Sequence, residues 1–260
     1  MFRGMKTPEI VATIAELRGR IAAWRGPGQR IGLVPTMGAL HDGHLSLVEA
    51  VRGRADKAVV SIFVNPAQFA PHEDFDRYPR TLETDAGKLA GMADLIFAPA
   101  VTEMYPDGFA TRIDVGGPSE RLETDFRPHF FSGVATIVAK LLIAAMPDVA
   151  VFGEKDWQQL QVIRRLVADL ALPVEIIGAP ILREADGLAM SSRNAYLKPH
   201  ERAIAGRMNV ILRNAKDVDQ AKRDLLNAGF DSVDYVAIRD GRILAAAKIG
   251  GTRLIDNMAL

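Results

Sequence analysis

The chain has 260 residues, 48% of them hydrophobic and 25% charged, the make-up of an ordinary globular protein with a sizeable core. Its 32 basic and 32 acidic residues cancel, which argues against nucleic-acid binding through bulk charge but leaves room for a local basic pocket that takes a small anion. There is no cysteine, so disulfides, thiolate metal sites and a cysteine nucleophile are excluded.

In chain order, the N-terminal run Met1–Pro8 lacks a long apolar stretch of the secretory kind. The longest apolar stretch, Val134–Met146, is interrupted by Thr136 and Lys140 and is too short and too polar to span a bilayer. The expectation is a cytoplasmic protein without membrane partners. Thr7, Pro8 and Glu9 read as a helix start, with Ile10, Ile14, Leu17 and Ile21 as its apolar stripe and Gly26-Pro27-Gly28 as its stop. Arg30–Val34 reads as a buried strand, and a helix is expected from about Gly43 to Arg54.

Between that strand and helix lies Val34-Pro-Thr-Met-Gly-Ala-Leu-His-Asp-Gly-His44. A helix N-terminus offers backbone N–H groups and the positive end of the dipole, a setting for phosphate. His41 and His44 add two imidazoles that can hold or protonate phosphate oxygens. Singly, His41 reads as a loop cap and His44 as a satisfied helix residue, but His-x-x-His with Gly38 and Gly43 at a strand–helix turn favours a nucleotide-phosphate site.

Ala58–Val64 is a short β-branched run, the habit of a parallel strand covered on both faces. It ends at Asn65-Pro66-Ala67-Gln68-Phe69, and in open α/β sheets ligands bind beyond such strand ends. The amides of Asn65 and Gln68 both donate and accept, which suits a hydroxy acid or an amide substrate; Asn-Pro turn chemistry accounts for Asn65 equally well. A helix is expected from Tyr78–Thr81 to about Ala90, then a strand over Asp94–Pro99. Thr111–Val115 is a further candidate strand. Arg127 and His129 precede a long helix for which Ser132 is the candidate N-cap, in a loop that reads either as surface or as a second anion contact.

Asp148–Phe152 is another buried strand. It ends at Gly153-Glu154-Lys155-Asp156, ahead of a helix to about Leu170. Lys155 offers a point charge for phosphates and Asp156 an acceptor for a ribose hydroxyl. Pro173–Gly178 is the last strand of this half. Met190-Ser191-Ser192-Arg193-Asn194 is a polar loop that reads either as a closure over a triphosphate or, taken alone, as a helix-cap loop. Beyond it the pattern changes: helices over Ala203–Asn214 and Val218–Ala228, then strands over Val233–Ile238, Arg242–Lys248 and Thr252–Asp256 around an Asp240-Gly241 hairpin turn. The fold class is thus α/β: a Rossmann-like parallel-sheet domain over 1–183, then a smaller α+β C-terminal lid domain with an antiparallel sheet over 184–260. No cluster has metal-ligand spacing and no serine has a base at a recognisable spacing. The inventory suits stabilisation of a phosphate transition state by positioning and charge.

Pro35–His44 closely resembles the signature of the pantoate–β-alanine ligase (pantothenate synthetase) family, of the His-x-Gly-His nucleotidylyltransferase-like class. The resemblance continues through Phe63–Phe69, Gly153–Leu160, Ala185–Asn194 and Thr252–Asn257, nearly the whole chain in order. It implies ATP-dependent ligation of pantoate and β-alanine through a pantoyl-adenylate, with Mg²⁺, in a homodimer. By the same resemblance Met37, Gly38, Ala39, Leu40, His41, Asp42, Gly43 and His44 line the ATP site. Gly153, Glu154, Lys155, Asp156, Leu182, Met190, Ser191, Ser192 and Arg193 complete it. Pro35, Thr36, Met37, Asn65, Gln68, Arg127 and Gln159 take the acid substrates. His44, His41, Lys155 and Arg193 are the catalytic set. Aligned on Gly133-Val134, the family's histidine position before the long helix holds Phe130, with His129 one residue early, and the C-terminal part is shorter than usual.

Three other readings are distinguishable. A nucleotidylyltransferase acting on a phosphorylated acceptor shares His41 and His44 but lacks the Asn65/Gln68/Gln159 amides. A regulatory protein that keeps the fold loses motif residues, whereas His44, Lys155 and Arg193 are all present. A structural protein has no need of five polar motifs at strand ends.

Overall fold

A computed structural model describes residues 6–69, 75, 76 and 78–260. The run Met1–Met5, read above for a leader segment, lies outside the described residues. The chain clusters into two compact units: the first takes the residues up to Leu40, His44–Gly153 and Gln158–Ala179, the second His41–Gly43, Glu154–Trp157 and Pro180–Leu260.

The first unit is built on a six-stranded sheet: β1 (Glu9–Val11), β2 (Ile31–Thr36), β3 (Lys57–Ile62), β4 (Leu95–Phe97), β5 (Val149–Gly153) and β6 (Glu175–Ala179). The spatial order is β1-β4-β3-β2-β5-β6 and every pairing is parallel. Its helices are α1 (Ile14–Arg25), α2 (Asp42–Arg52), α3 (Leu82–Lys88), α4 (Val101–Met104), α5 (Glu123–Phe126), α6 (Phe130–Ala145) and α7 (Trp157–Asp169). The strands are apolar on both faces because helices cover both. Val34, Val60, Ile96 and Val151 pack with Leu47, Val48 and Val51 of α2 and Leu89 after α3. Ile31 and Leu33, pointing the other way, are equally buried, and α6 packs on α1 and β2. From β2 the chain steps out through β3 to β4, then returns to β5 on the opposite side. The carboxyl ends of β2 and β5 are therefore the topological switch point, where such sheets bind ligands.

The second unit is an antiparallel meander of β7 (Ser232–Arg239), β8 (Arg242–Ile249) and β9 (Thr252–Ala259). Helices α8 (Pro199–Ala205), α9 (Arg207–Arg213) and α10 (Val218–Ala228) close its core. Met208, Leu212, Ala221 and Leu225 meet Ile243, Ala245, Ala247 and Leu254 there. No helix among the described residues is long and apolar enough to cross a membrane.

Four expectations are corrected. Glu9–Val11 is not the start of a helix but a strand paired with Leu95–Phe97. The helix begins at Ile14, capped by Thr13: its hydroxyl accepts from Glu16 N at 3.2 Å while the Glu16 carboxylate accepts from Thr13 N at 3.0 Å. Thr111–Val115 forms no strand; Ile113 N is satisfied instead by the Thr136 hydroxyl at 3.0 Å. Helix α6 starts at Phe130 with His129 at the cap position, so Ser132 lies inside it. The helix expected over Ala203–Asn214 is two, α8 and α9, broken at Gly206, where a Cβ would stand 2.5 Å from an Asp186 carboxylate oxygen.

Candidate functional site

After β2 the chain must turn sharply into α2. Gly38 takes the left-handed region at φ +84°, open to glycine without strain, and Ala39 follows at φ +50°. The turn is held from α3. Asp85, fully buried, accepts from Ala39 N at 2.9 Å and Leu40 N at 2.8 Å, and also takes the Thr81 hydroxyl at 3.1 Å. Lys88 Nζ donates to Leu40 O. Leu40 is thus engaged at both backbone groups, and its side chain belongs to the core. The amides of Ala39 and Leu40 thus serve a carboxylate of the chain itself, which leaves His41–His44 as the part of the stretch not held by Asp85. Thr36 anchors the near side, donating to Ser61 O at 2.7 Å and accepting from Gly38 N at 3.3 Å.

After β3, the 3-10 turn Pro66–Gln68 carries Gln68. Asn65, 1% exposed, is the hub of this turn. Its Nδ2 donates to Gln68 Oε1 at 2.9 Å and Gly133 O at 3.1 Å. Its Oδ1 accepts from the Tyr105 hydroxyl at 2.7 Å and Ala67 N at 3.3 Å. All four of its hydrogen-bonding valences are filled. Asn65 therefore orients Gln68 rather than offering its own amide, and Gln68, its oxygen accepting once, from Asn65, keeps two N–H donors and one lone pair. Burial pushes the Tyr105 phenol up to about 12, against the opposing effect of the Asn65 bond, so it stays a donor at neutral pH. Arg127 Nη2 donates to Gln68 O at 2.9 Å and its guanidinium stacks 4.0 Å from the Phe130 ring centre. Phe130, where the family pattern has histidine, is thus the platform for Arg127.

Helix α6 approaches this turn backbone to backbone. A Cβ on Gly133 would stand 2.2 Å from Ala67 O and 2.6 Å from Ala67 C. Gly133→Ala is expected to push the turn off α6 and cost about 1–3 kcal/mol. The denaturation midpoint measures it, and an unshifted midpoint would show the contact to be slack.

Gln158, at the start of α7, is 5% exposed and structural: its Nε2 faces the carbonyls of Pro118, Glu120 and Arg121, at 3.0, 3.3 and 3.1 Å. Its neighbour Gln159 is half-buried and makes no such bonds among the described residues.

The second unit holds the remaining residues. His41–Gly43 lie beside Met190: a Cβ on Gly43 would be 2.9 Å from the His41 ring and 3.4 Å from Met190 Cβ. The segment 182–194 is folded on itself. Met190 N donates to Leu182 O at 3.0 Å, and Asn194 Nδ2 donates to Glu184 Oε1 at 2.8 Å and Ala189 O at 3.1 Å. Ser191 caps the short 3-10 helix Ser192–Tyr196, accepting from Arg193 N at 3.3 Å. Arg202 grips Glu184 at 2.6 Å and also Asp186, and their carboxylates hold its guanidinium above the usual range. Glu154–Asp156 form one 3-10 turn ahead of α7. Lys155 is half-buried there, with no ion-pair partner among the described residues. A partly desolvated ammonium without a counter-charge is set up for an anion.

Of the residues expected to form a site, Pro35–Leu40, His44, Asn65, Gln68, Arg127, Gly153 and Gln159 fall in the first unit. His41–Gly43, Glu154–Asp156, Leu182 and Met190–Arg193 fall in the second. Asp85, Tyr105 and Gly133 were not singled out from the sequence for any role here. Thr81-x-x-x-Asp85 at a helix start was the one local hint for Asp85.

A family model described as pantoate-beta-alanine ligase matches residues 9–259. The chain is similar to the pantothenate synthetase of Mesorhizobium japonicum, at 56% identity over 98% of each chain. It is 53% identical to that of Caulobacter vibrioides, over 98% of this chain and 100% of the other. The crystal structure of pantothenate synthetase from Thermus thermophilus superimposes with a TM-score of 0.88 at 44% identity, covering 96% of this chain and 99% of that one. A pantoate-β-alanine ligase from Francisella tularensis, solved with β-γ ATP and β-alanine, does so with a TM-score of 0.90 at 37% identity, covering 97% of each.

Proposed function

The chain belongs to the pantoate–β-alanine ligase family, and from that premise we propose that it makes pantothenate from pantoate and β-alanine through a pantoyl-adenylate. In the first step a pantoate carboxylate oxygen bonds to the α-phosphorus of ATP, the Pα–O bond breaks, and pyrophosphate leaves with the electron pair. In the second, the neutral amine of β-alanine attacks the acyl carbon, the bond to AMP breaks, and the amine proton is lost. No covalent bond to the protein is needed, so the protein's part is to position reactants, stabilise charge and exclude water.

Gln68 carries the reading. Asn65 and Arg127 lock its amide oxygen and its backbone, and the two N–H donors left over suit the oxygens of a hydroxy acid. Gln159 supplies the second amide for pantoate. His44, His41, Lys155 and Arg193 meet the negative charge that develops on the phosphates. Asp156 and Gly153 take the ribose and neighbouring oxygens. Among the described residues no three His, Asp or Glu side chains are grouped to hold a metal ion. Mg²⁺ would arrive with ATP, bound mostly by phosphate oxygens, and would neutralise phosphate charge. A cytoplasmic homodimer completes the reading.

Isotope exchange tests it. Pantoate without β-alanine should drive exchange of labelled pyrophosphate into ATP, while AMP release should require β-alanine. Absence of pantoate-dependent exchange overturns the adenylate route.

A further inference from the structure

The C-terminal motif Thr252–Asn257 has no part in the chemistry above, yet it reaches the turn that bears Lys155. Asn257, on β9, is 2% exposed. Its Nδ2 donates to Glu154 O and Lys155 O, each at 2.9 Å, so one amide bridges two consecutive carbonyls of the turn. The orientation of that amide is fixed from the other side, where Arg242 Nε on β8 donates to Asn257 Oδ1 at 2.6 Å. Arg242 also stacks 4.4 Å from the Trp157 ring centre and lies 3.4 Å from Glu154 Oε2. The Asn257 backbone is fixed in turn: its carbonyl accepts from Arg183 Nη2 at 3.2 Å, and Arg183 pairs with the buried Asp256 at 2.7 Å. Glu154, Lys155 and Trp157 are thus each held by β8 or β9, and the Lys155 ammonium is the group the arrangement leaves for a ligand.

We propose that Asn257, oriented by Arg242, is a positioning residue for Lys155: it sets the backbone from which the ammonium reaches the nucleotide phosphates. This rests on the reading that Lys155 meets ATP. Neither Asn257 nor Arg242 was among the residues expected to touch a substrate. A displaced turn misaims one charge, and misplacement by about 1 Å costs up to about 100-fold in rate.

The experiment is a double-mutant cycle on the full chain, with steady-state constants for each substrate and a thermal midpoint for each variant. Asn257→Ala is expected to lower kcat/KM for ATP about 10- to 100-fold while KM for β-alanine stays within about twofold. In a Lys155→Ala background the same change is expected to cost almost nothing more, because the residue it positions is gone. If Asn257→Ala is equally costly with and without Lys155, the proposal is overturned and Asn257 is merely structural. If Lys155→Ala alone leaves kcat/KM for ATP intact, the fault lies in the assignment of Lys155 itself, and the proposal falls with it. Should Asn257→Ala not fold, Arg242→Met takes its place in the cycle. It keeps an apolar stem against Trp157 but removes the bond that orients the amide, and the same coupling with Lys155 decides the matter.

Discussion

Lys155→Ala is expected to reduce turnover about 100- to 1,000-fold with the fold intact. Lys155 stands on the 3-10 turn that follows β5 in the chain, half-buried and without a protein counter-ion among the described residues. Loss of one preorganised donor to a developing oxyanion costs roughly 2.7–4 kcal/mol, and more of that interaction is realised as charge moves onto departing pyrophosphate than in the ground state. Removing the ammonium should therefore lower kcat more than it raises KM for ATP. Stability should hardly move, because the ammonium has no protein partner to lose. His44→Ala, at the first turn of α2, should act in the same direction and on the same step. Steady-state rates together with pyrophosphate exchange separate that step from the amide-forming one. Turnover within a few-fold of the parent in the Lys155 variant removes it from the phosphate site.

Asp85→Asn is expected to damage both stability and activity, although Asp85 touches no substrate in the proposed scheme. The carboxylate is fully buried and serves two backbone N–H groups and a hydroxyl. Asparagine is nearly isosteric, but one of its two polar ends is a donor. Whichever way it turns, a buried N–H of Ala39 or Leu40, or the Thr81 hydroxyl, faces an NH₂. An unsatisfied buried donor costs about 1–3 kcal/mol, and loss of the charged acceptor adds to this. We expect a loss of about 2–4 kcal/mol in chemical denaturation. The turn that delivers His41 and His44 should shift with it, and activity should fall by more than about 10-fold. A variant with parental stability and rate would show that the turn holds itself. Thr81→Ala, which removes only the hydroxyl, should cost less than half as much in stability.

Several elements were legible because their signals are local. The strand of Ile31–Thr36, helix α10 and the Asp240-Gly241 hairpin each depend on residues a few positions apart, where periodicity and turn chemistry operate. So did the order of motifs at strand ends, which pointed to a nucleotide site from residue types alone. The errors also have physical causes. Thr7-Pro8-Glu9 imitates a helix start, but pairing of Glu9–Val11 with β4 wins, and Thr13-x-x-Glu16 carries the real capping box. Position 206, between α8 and α9, is a glycine because Asp186, twenty positions earlier in the chain, leaves no room for a Cβ.

By itself, then, the sequence determined the two kinds of sheet, the strand–turn–helix carrying His41 and His44, and the family to which the chain belongs. Only the tertiary structure decided how the site residues are held. Asp85 bonds Ala39 and Leu40 across 46 and 45 positions, and Asn257 reaches Lys155 across 102. It also decided that Asn65 has no valence left for a substrate while Gln68 keeps both of its N–H donors. Propensity and periodicity are written within a turn or two of chain, whereas a buried hydrogen bond is specified by whatever packing brings within about 3 Å, and that is a property of the whole fold.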